Sequence, residues 1–266
     1  MIQINRIPCG NVNCFIVVKG DNAILVDTGK EKYQEKILSV CNKYPIRLIV
    51  LTHGHIDHVQ NTAYLKQKLQ VPVAMSKADL SLLENNTNQE LYADGLLGKL
   101  MLSFSKKSFF KDKIPAFIPD IFLNEGDTLV EYGIPATVIS LQGHTKGSIG
   151  LDIENKFLLV GDALMNMFYP CCALLYNQKR EAQESAKKIT NMGNRTIYFG
   201  HGKSTKNRVV WLKMKMYTVC PDCGYKLLKA GNGSTIEIYC PKCGAKMTIE
   251  IKDGKIIIQK TITEKA

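Results

Sequence analysis

Histidine is scarce in this chain, with five in 266 residues, and there is a single tryptophan. No apolar run reaches the ~18 uncharged residues that a spanning helix needs, which excludes a transmembrane segment of that kind. The first twenty residues, MIQINRIPCGNVNCFIVVKG, lack a cationic start, a following apolar stretch and a small-residue cleavage site. That absence argues against an export leader, and a cytoplasmic location is expected. Internal repeats and low-complexity tracts are also missing, so neither a solenoid nor a disordered tail is expected. The cysteines, nine in all, cannot pair off completely. Four of them stand in two close pairs, so metal binding explains them better than a disulfide framework. Cys9, Cys14, Cys41, Cys171 and Cys172 remain, and small buried thiols are the expectation for all five.

What is present suits one substantial core and a small second module. Hydrophobic residues make up 45% of the chain, and we expect a large domain over 1–217 and a small one over 218–266. The formal net charge of +11 would suit nucleic acid, anionic substrates or an acidic surface. From Thr218 onward 8 Lys stand against 5 Asp plus Glu, a formal +3. Four metal-bound thiolates and one zinc ion would lower that to about +1, so the C-terminal module is not a strongly basic arm.

Three short apolar runs, at residues 1–7, 13–18 and 22–27, are separated by turn residues and predict a strand meander. A helix is predicted from Glu31 to Asn42 and a buried strand from Arg47 to Leu51. Further helices are expected from Ala63 to Leu69 and from Ser76, with Ser76 as cap and Asp79 at its third position. A strand is expected at Val71 to Met75. Strands are then predicted at Thr128 to Val130, Ala136 to Leu141, Ser148 to Ile153, Lys156 to Val160 and Arg195 to Phe199. Helices are predicted from Gln178 to Met192 and from Ser204 to about Met216. This mixed order implies a layered α/β (α+β) fold. Between Asn85 and Pro119, Leu96, Leu97, Leu100, Met101 and Phe104 mark an amphipathic helix, followed by Lys106, Lys107, Phe109, Phe110, Lys111 and Lys113. A surface helix packed on the core is the plain expectation there, with a cationic lid or a membrane-surface contact as alternatives.

All five histidines follow predicted strands. His53-Gly-His55-Ile-Asp57-His58 puts four candidate ligands into six residues, where an irregular loop can turn alternate side chains toward one point. His144 lies in Gly143-His-Thr-Lys-Gly147, His201 in Gly200-His-Gly202, and Asp162 closes the run Leu158-Leu-Val-Gly-Asp162. Neutral imidazoles and hard carboxylates suit Zn²⁺, Fe²⁺ or Mn²⁺, and ligand type alone does not choose among them; zinc is the expectation. Gly54 and Gly147 are expected to serve backbone geometry.

The sequence T-H-x-H-x-D-H at Thr52 to His58, then G-H-T, G-D and a late G-H, resembles the metallo-beta-lactamase fold hydrolases over about residues 1–215. It is most similar to the branch of hydroxyacylglutathione hydrolases (glyoxalase II). The resemblance implies a four-layer αβ/βα sandwich with metals held at the ends of two sheets. It implies that His53, His55 and His144 hold one ion, that Asp57, His58 and His201 hold the other, and that Asp162 bridges them. Asp57, with His53 and His55, would then carry the catalytic chemistry. Asp27, in Val26-Asp-Thr-Gly29, would support the ligand histidines from behind. Departures narrow the activity. Asp162 stands where zinc beta-lactamases carry Cys, His55 where flavodiiron proteins carry Glu, and Met165 where quorum-quenching lactonases carry Tyr. The helical glutathione-binding domain of typical glyoxalase II enzymes has no counterpart after His201.

Cys220-Pro-Asp-Cys223-Gly and Cys240-Pro-Lys-Cys243-Gly form two knuckles sixteen residues apart, the pattern of a four-cysteine zinc ribbon. Strands at Thr235 to Tyr239, Met247 to Ile251 and Lys255 to Gln259 would frame it. A single redox-active iron is the alternative ion. Together these features predict a binuclear zinc hydrolase of a small thioester, ester or lactone, with a third zinc in the ribbon. Homo-oligomer formation is compatible with all of this. The alternatives are a nucleic-acid-processing metallohydrolase, with nucleic acid as partner, and an iron-dependent persulfide dioxygenase or rubredoxin-like redox protein.

Overall fold

The computed structural model describes residues 1–167, 169–207, 216–231, 233–252 and 255–260. The predicted meander is present as β1 (Ile2–Cys9), β2 (Val12–Lys19) and β3 (Asn22–Val26), with Ile7 opposite Cys14 and Phe15 opposite Val26. After a 3-10 turn at Glu31–Tyr33, helix α1 (Gln34–Cys41) buries Ile37 and Cys41. The topology then changes to parallel crossovers, which need a covering helix. β4 (Ile46–Val50) lies parallel to β3, and α2 (Ile56–Val59) and α3 (Thr62–Leu69) lead to β5 (Val73–Met75), parallel to β4. Next come α4 (Leu80–Glu84), β6 (Tyr92–Ala93), α5 (Gly95–Lys111) and β7 (Ile121–Phe122), which completes a six-stranded sheet in the order β1-β2-β3-β4-β5-β7.

The second sheet is built from β8 (Ala136–Ser140), β9 (Ile149–Ile153) and β10 (Phe157–Leu159). Two-residue strands β11 (Leu164–Met165), β12 (Cys171–Cys172) and β13 (Leu175–Tyr176) intervene before helix α6 (Lys179–Asn191). Strands β14 (Thr196–Tyr198) and β15 (Thr205–Lys206) then finish the order β15-β14-β10-β9-β8.

Burial follows from strand alternation. Phe15, Val17, Ile24 and Val26 of the first sheet meet Val138, Leu151 and Ile153 of the second in one core. The opposite face of the first sheet, with Ile16, Leu25 and Ile49, packs on Ile37 and Leu65 of its helices. On the far side of the second sheet, Leu158 and Ile197 pack on Ala186 and Ile189 of α6. Helix, sheet, sheet and helix therefore form the four layers of an αβ/βα sandwich. Among the described residues no helix is long and apolar enough to cross a membrane.

The C-terminal strands have a core of their own. β16 (Met216–Val219) pairs with β17 (Lys226–Ala230), and β18 (Ser234–Tyr239), β19 (Lys246–Lys252) and β20 (Lys255–Lys260) form an antiparallel sheet. Alternate residues Met247, Ile249 and Ile251 are buried together with Cys220 and Cys240. The expected border between residues 217 and 218 falls inside β16.

Three expectations need correction. Thr128 to Val130 is not a strand: Thr128 makes an isolated bridge to Thr137, and Val130 starts a 3-10 turn ending at Gly133. Three apolar or β-branched residues suggest a strand, but Gly133 in the left-handed region closes a turn instead. The helix expected from Ser204 begins differently, because Thr205–Lys206 pairs with β14 as a strand; residues 208–215 lie outside the described ones. The helix marked by Leu96 to Phe104 continues through the lysine and phenylalanine run to Lys111. Of the five leftover cysteines, Cys9, Cys14 and Cys41 are buried, whereas Cys171 and Cys172 are only partly so.

Ile24 is fully buried at the centre of the inter-sheet core. Ile24→Ala should lower the unfolding free energy by about 2–5 kcal/mol, because the two facing sheets cannot collapse onto the lost volume. Chemical denaturation followed by circular dichroism will measure it, and a loss below about 1 kcal/mol would contradict this packing.

Candidate metal centre

The parallel strand β4 ends at Val50, and the chain turns sharply through Thr52 to His55 before α2 begins. At that edge of the sheets, His53, His55, His58, His144, Asp162 and His201 are all buried, and Asp57 is partly exposed. Three overlapping groups bring potential ligand atoms within 4.8 Å of one another: His53, His55 and His144; His53, His58 and Asp162; Asp57, His58 and His201. Asp162 lies between them, 3.5 Å from His58 Nε2, 3.6 Å from His144 Nε2 and 3.1 Å from His201 Nε2. Asp57 approaches His201 Nε2 to 3.7 Å. Every residue of the histidine and aspartate constellation read from sequence is thus brought to one place.

Outer hydrogen bonds decide which ring nitrogen each histidine offers. His58 Nδ1 donates to Asp27 at 2.8 Å, His144 Nδ1 to the Leu175 carbonyl at 2.8 Å, and His201 Nδ1 to the Asn11 carbonyl at 2.7 Å. Thr52 Oγ1 donates to Asp27 at 2.9 Å and so accepts from His53 Nδ1 at 3.0 Å. In these four rings Nε2 is left facing the centre, with the tautomer assigned from the fixed acceptors. His55 is turned the other way: its Nδ1 lies 2.9 Å from His144 Nε2. Asp27 also accepts the Thr52 amide at 2.8 Å, and adopts a φ of 60°, which an Asp tolerates better than most side chains.

The fit to a metal can be tested on atoms that have no other partner. Among the described residues, His53 Nε2, His55 Nε2, His58 Nε2 and Asp162 Oδ1 are buried without a hydrogen bond. Such atoms are costly to bury unless something binds them. The donor set, imidazole nitrogens and carboxylate oxygens, fits a His/Asp metal site. The electrostatics agree. Burial pushes His53 well below the ordinary imidazole value and His55 down to about 3, with His58 and His144 respectively adding repulsion. Burial also opposes charge on His58 and His201, but Asp162 and the other carboxylates outweigh it and raise both. Burial disfavours the Asp162 anion, yet His201 and His58 hold its carboxyl well below the usual range. The centre therefore sets two imidazoles that burial holds neutral, His53 and His55, beside buried carboxylates that draw positive charge onto His58 and His201.

Several residues that sequence patterns did not single out hold this geometry. Asp79, fully buried, accepts from Gly54 N at 2.9 Å, Gly147 N at 2.7 Å, Thr145 Oγ1 at 2.7 Å and Gln89 Nε2 at 2.9 Å. It stands, as expected, at the third position of the helical turn that Ser76 caps, and its carboxylate ties the His53–His58 loop to the His144 loop. Gly147 is needed for this, since a Cβ there would lie 2.7 Å from the Asp79 carboxyl carbon. Asn86 adds a second clamp, accepting from Ile56 N at 2.7 Å and donating to the Gly54 carbonyl at 2.9 Å. Gly200 lets Asp162 enter, because a Cβ at that position would meet its Oδ1 at 2.2 Å. Phe109 of α5 stacks on His55, ring centroids 5.3 Å apart at 26°.

The four cysteines also converge. Cys220 and Cys243 sulfurs are 3.5 Å apart, and Cys223 and Cys240 sulfurs 3.6 Å. A tetrahedral ion with metal–sulfur bonds of ~2.3 Å requires sulfurs ~3.8 Å apart, so the cluster fits one. Gly224 N donates to Cys220 O at 2.9 Å and Gly244 N to Cys240 O at 2.8 Å, closing the two knuckles in the same way.

Comparison with known proteins agrees with this geometry. The model of the "Metallo-beta-lactamase superfamily" matches residues 7–201. An uncharacterised protein of Aquifex aeolicus (strain VF5) is 32% identical, over 60% of this chain and 70% of its own. The "Hydroxyacylglutathione hydrolase GloC" of Haemophilus influenzae is 30% identical, over 61% of this chain and 71% of its own. The crystal structure of TTHA1623 in a di-iron-bound form superposes with a TM-score of 0.58 at 23% identity, covering 77% of this chain and 96% of that one.

Asp79→Ala should strand four donors in the interior and destabilise the large sandwich by about 3 kcal/mol or more, with loss of metal from the His/Asp centre. Denaturation midpoints together with metal content will test it. A variant as stable as the parent, with full metal content, would show that the two loops hold without this carboxylate.

Proposed function

Since the chain belongs to the metallo-beta-lactamase superfamily, we propose that it is a two-metal hydrolase cleaving a small thioester, ester or lactone. The observation that carries this reading is the position of Asp162 among three imidazole nitrogens drawn from both triads. On this reading His53, His55 and His144 hold one ion, Asp57, His58 and His201 hold the other, and Asp162 is common to both. When bound, the two ions would supply a water acidified to near pH 7 and an electrophile for the carbonyl oxygen. The chain's residues provide the rest. Asp57, the one carboxylate of the set open to solvent, orients the attacking water, takes up its proton and returns it to the leaving group. Asp27 keeps His58 in the required tautomer.

The hydrolase name of the Haemophilus relative supports a thioester or ester as the bond cleaved. Asp162, in place of a cysteine, argues against beta-lactams. Zinc is the ion we assign to both centres, and the di-iron form of the structural neighbour makes iron the alternative at the His/Asp site. The four-cysteine ribbon is assigned a structural zinc.

His55→Ala and Asp162→Ala should each abolish turnover of a thioester and lactone panel while leaving the circular dichroism spectrum intact; full activity in either variant would end the two-metal reading. Plasma mass spectrometry on the full chain should find about three zinc ions, falling to about two in the Cys223→Ser, Cys243→Ser double variant. Iron in the His/Asp centre would move the assignment toward redox chemistry.

A further inference from the structure

We infer that the cavity between α5 and the Asn86–Tyr92 loop binds an elongated acyl substrate, holding its apolar body along α5 and an anionic group at the lysines of that helix, Lys106 or Lys99. The cavity has a volume of about 660 Å³ and includes Leu91, Leu102 and Phe109 as apolar wall and Lys99 and Lys106 as cations. That volume is in the ordinary range for small-molecule sites, ~300–1,000 Å³.

Three observations join into this inference. The first is continuity with the metal centre. Phe109 lines the cavity and at the same time stacks on His55, so a single aromatic ring stands between this end of the cavity and the His/Asp cluster. The second is the helical spacing. Lys99, Leu102, Lys106 and Phe109 recur at intervals of three, four and three, which puts them on one face of α5. At ~1.5 Å per residue, Lys106 lies ~4.5 Å and Lys99 ~15 Å along the axis from Phe109, so cations flank the apolar track at increasing distance from the metals. The third is charge. Glu90 also lines the cavity, but its carboxylate is occupied by the Tyr92 hydroxyl, and neither Lys99 nor Lys106 has an ion pair among the described residues. Two unpaired cations against one engaged acid favour an anion. A chain with apolar carbons next to Phe109 and Leu102 and a carboxylate, phosphate or sulfonate at Lys106 or Lys99 meets all three conditions.

This assignment rests on the hydrolase reading only for which bond would lie over the metals. Its test therefore measures binding without turnover, by titration calorimetry on the metal-loaded full chain, with decanesulfonate as probe and decyltrimethylammonium as the cationic control. Decanesulfonate should bind, the control should not, and Lys106→Glu should weaken the sulfonate by roughly tenfold or more. Leu102→Asp should weaken it similarly, while the same charge reversal at the exposed Lys156, Lys156→Glu, outside the cavity, should leave the affinity within about twofold. Equal binding of both probes, no binding of either, or an affinity that falls as much with Lys156→Glu as with Lys106→Glu would overturn the assignment. If sulfonate binding behaves as expected but no thioester, ester or lactone is cleaved, the hydrolase reading fails and this one stands. Cleavage without binding would leave the hydrolase reading and remove this one.

Discussion

Asp162 is a buried anion with imidazole nitrogens 3.1, 3.5 and 3.6 Å away, and the surrounding structure is arranged to hold that cluster together. Several polar side chains gathered at one interior point are destabilising unless each remaining valence is satisfied elsewhere. The solution uses all parts of the sandwich. Asp27 at the end of β3 fixes His58, the Asn11 carbonyl between β1 and β2 fixes His201, and the Leu175 carbonyl of β13 fixes His144. Because the Asn11 carbonyl of the first sheet fixes His201, which follows β14 of the second, the centre cannot assemble until the two sheets have packed on their common core. Fold and site are therefore one cooperative problem.

The same dependence explains the buried Asp79 network. Loops that carry ligands begin as irregular backbone with unpaired amides, and unpaired amides in the interior are expensive. Asp79 takes up the amides of Gly54 and Gly147 at once, so the two loops are pinned to each other as well as to the fold. Helix α5 covers one face of the site: Phe109 stacks on the His55 ring. Burial at this point matters, because charge interactions among the imidazoles and carboxylates strengthen as water is excluded.

How much of this was readable in advance depended on whether the signal was local. His53, His55, Asp57 and His58 share six residues and could be read as a group, and the strand-end positions of His144, Asp162 and His201 were visible from apolar runs before them. Asp79, Asn86 and Phe109 act across 25 to 66 residues of sequence or more, with no spacing that marks them. For Asp79 the local signal, the third position after a Ser cap, was correct about the helical turn but carried nothing about the two distant loops that its carboxylate joins. Thr128 to Val130 shows the opposite failure: its β-propensity was real, but three residues next to a left-handed Gly133 turn before they can pair at length.

The C-terminal cysteines raise a different physical question, which is what keeps a small module folded. Its core is a few residues, chiefly Met247, Ile249 and Ile251 with Cys220 and Cys240. A sheet that small buries little apolar surface against its chain entropy, and cross-linking by an ion at the four cysteines would supply stability that burial does not. The sulfur spacings, 3.5 and 3.6 Å, are close to the edge of such a tetrahedron, and the matching knuckle hydrogen bonds hold both pairs in the same shape. Ion binding would also consume the apparent basicity of the module, since four thiolates bring more negative charge than one divalent ion neutralises. A metal that folds the module thereby removes the charge that would have drawn it to nucleic acid, which is why its basic composition is a poor guide to its partner.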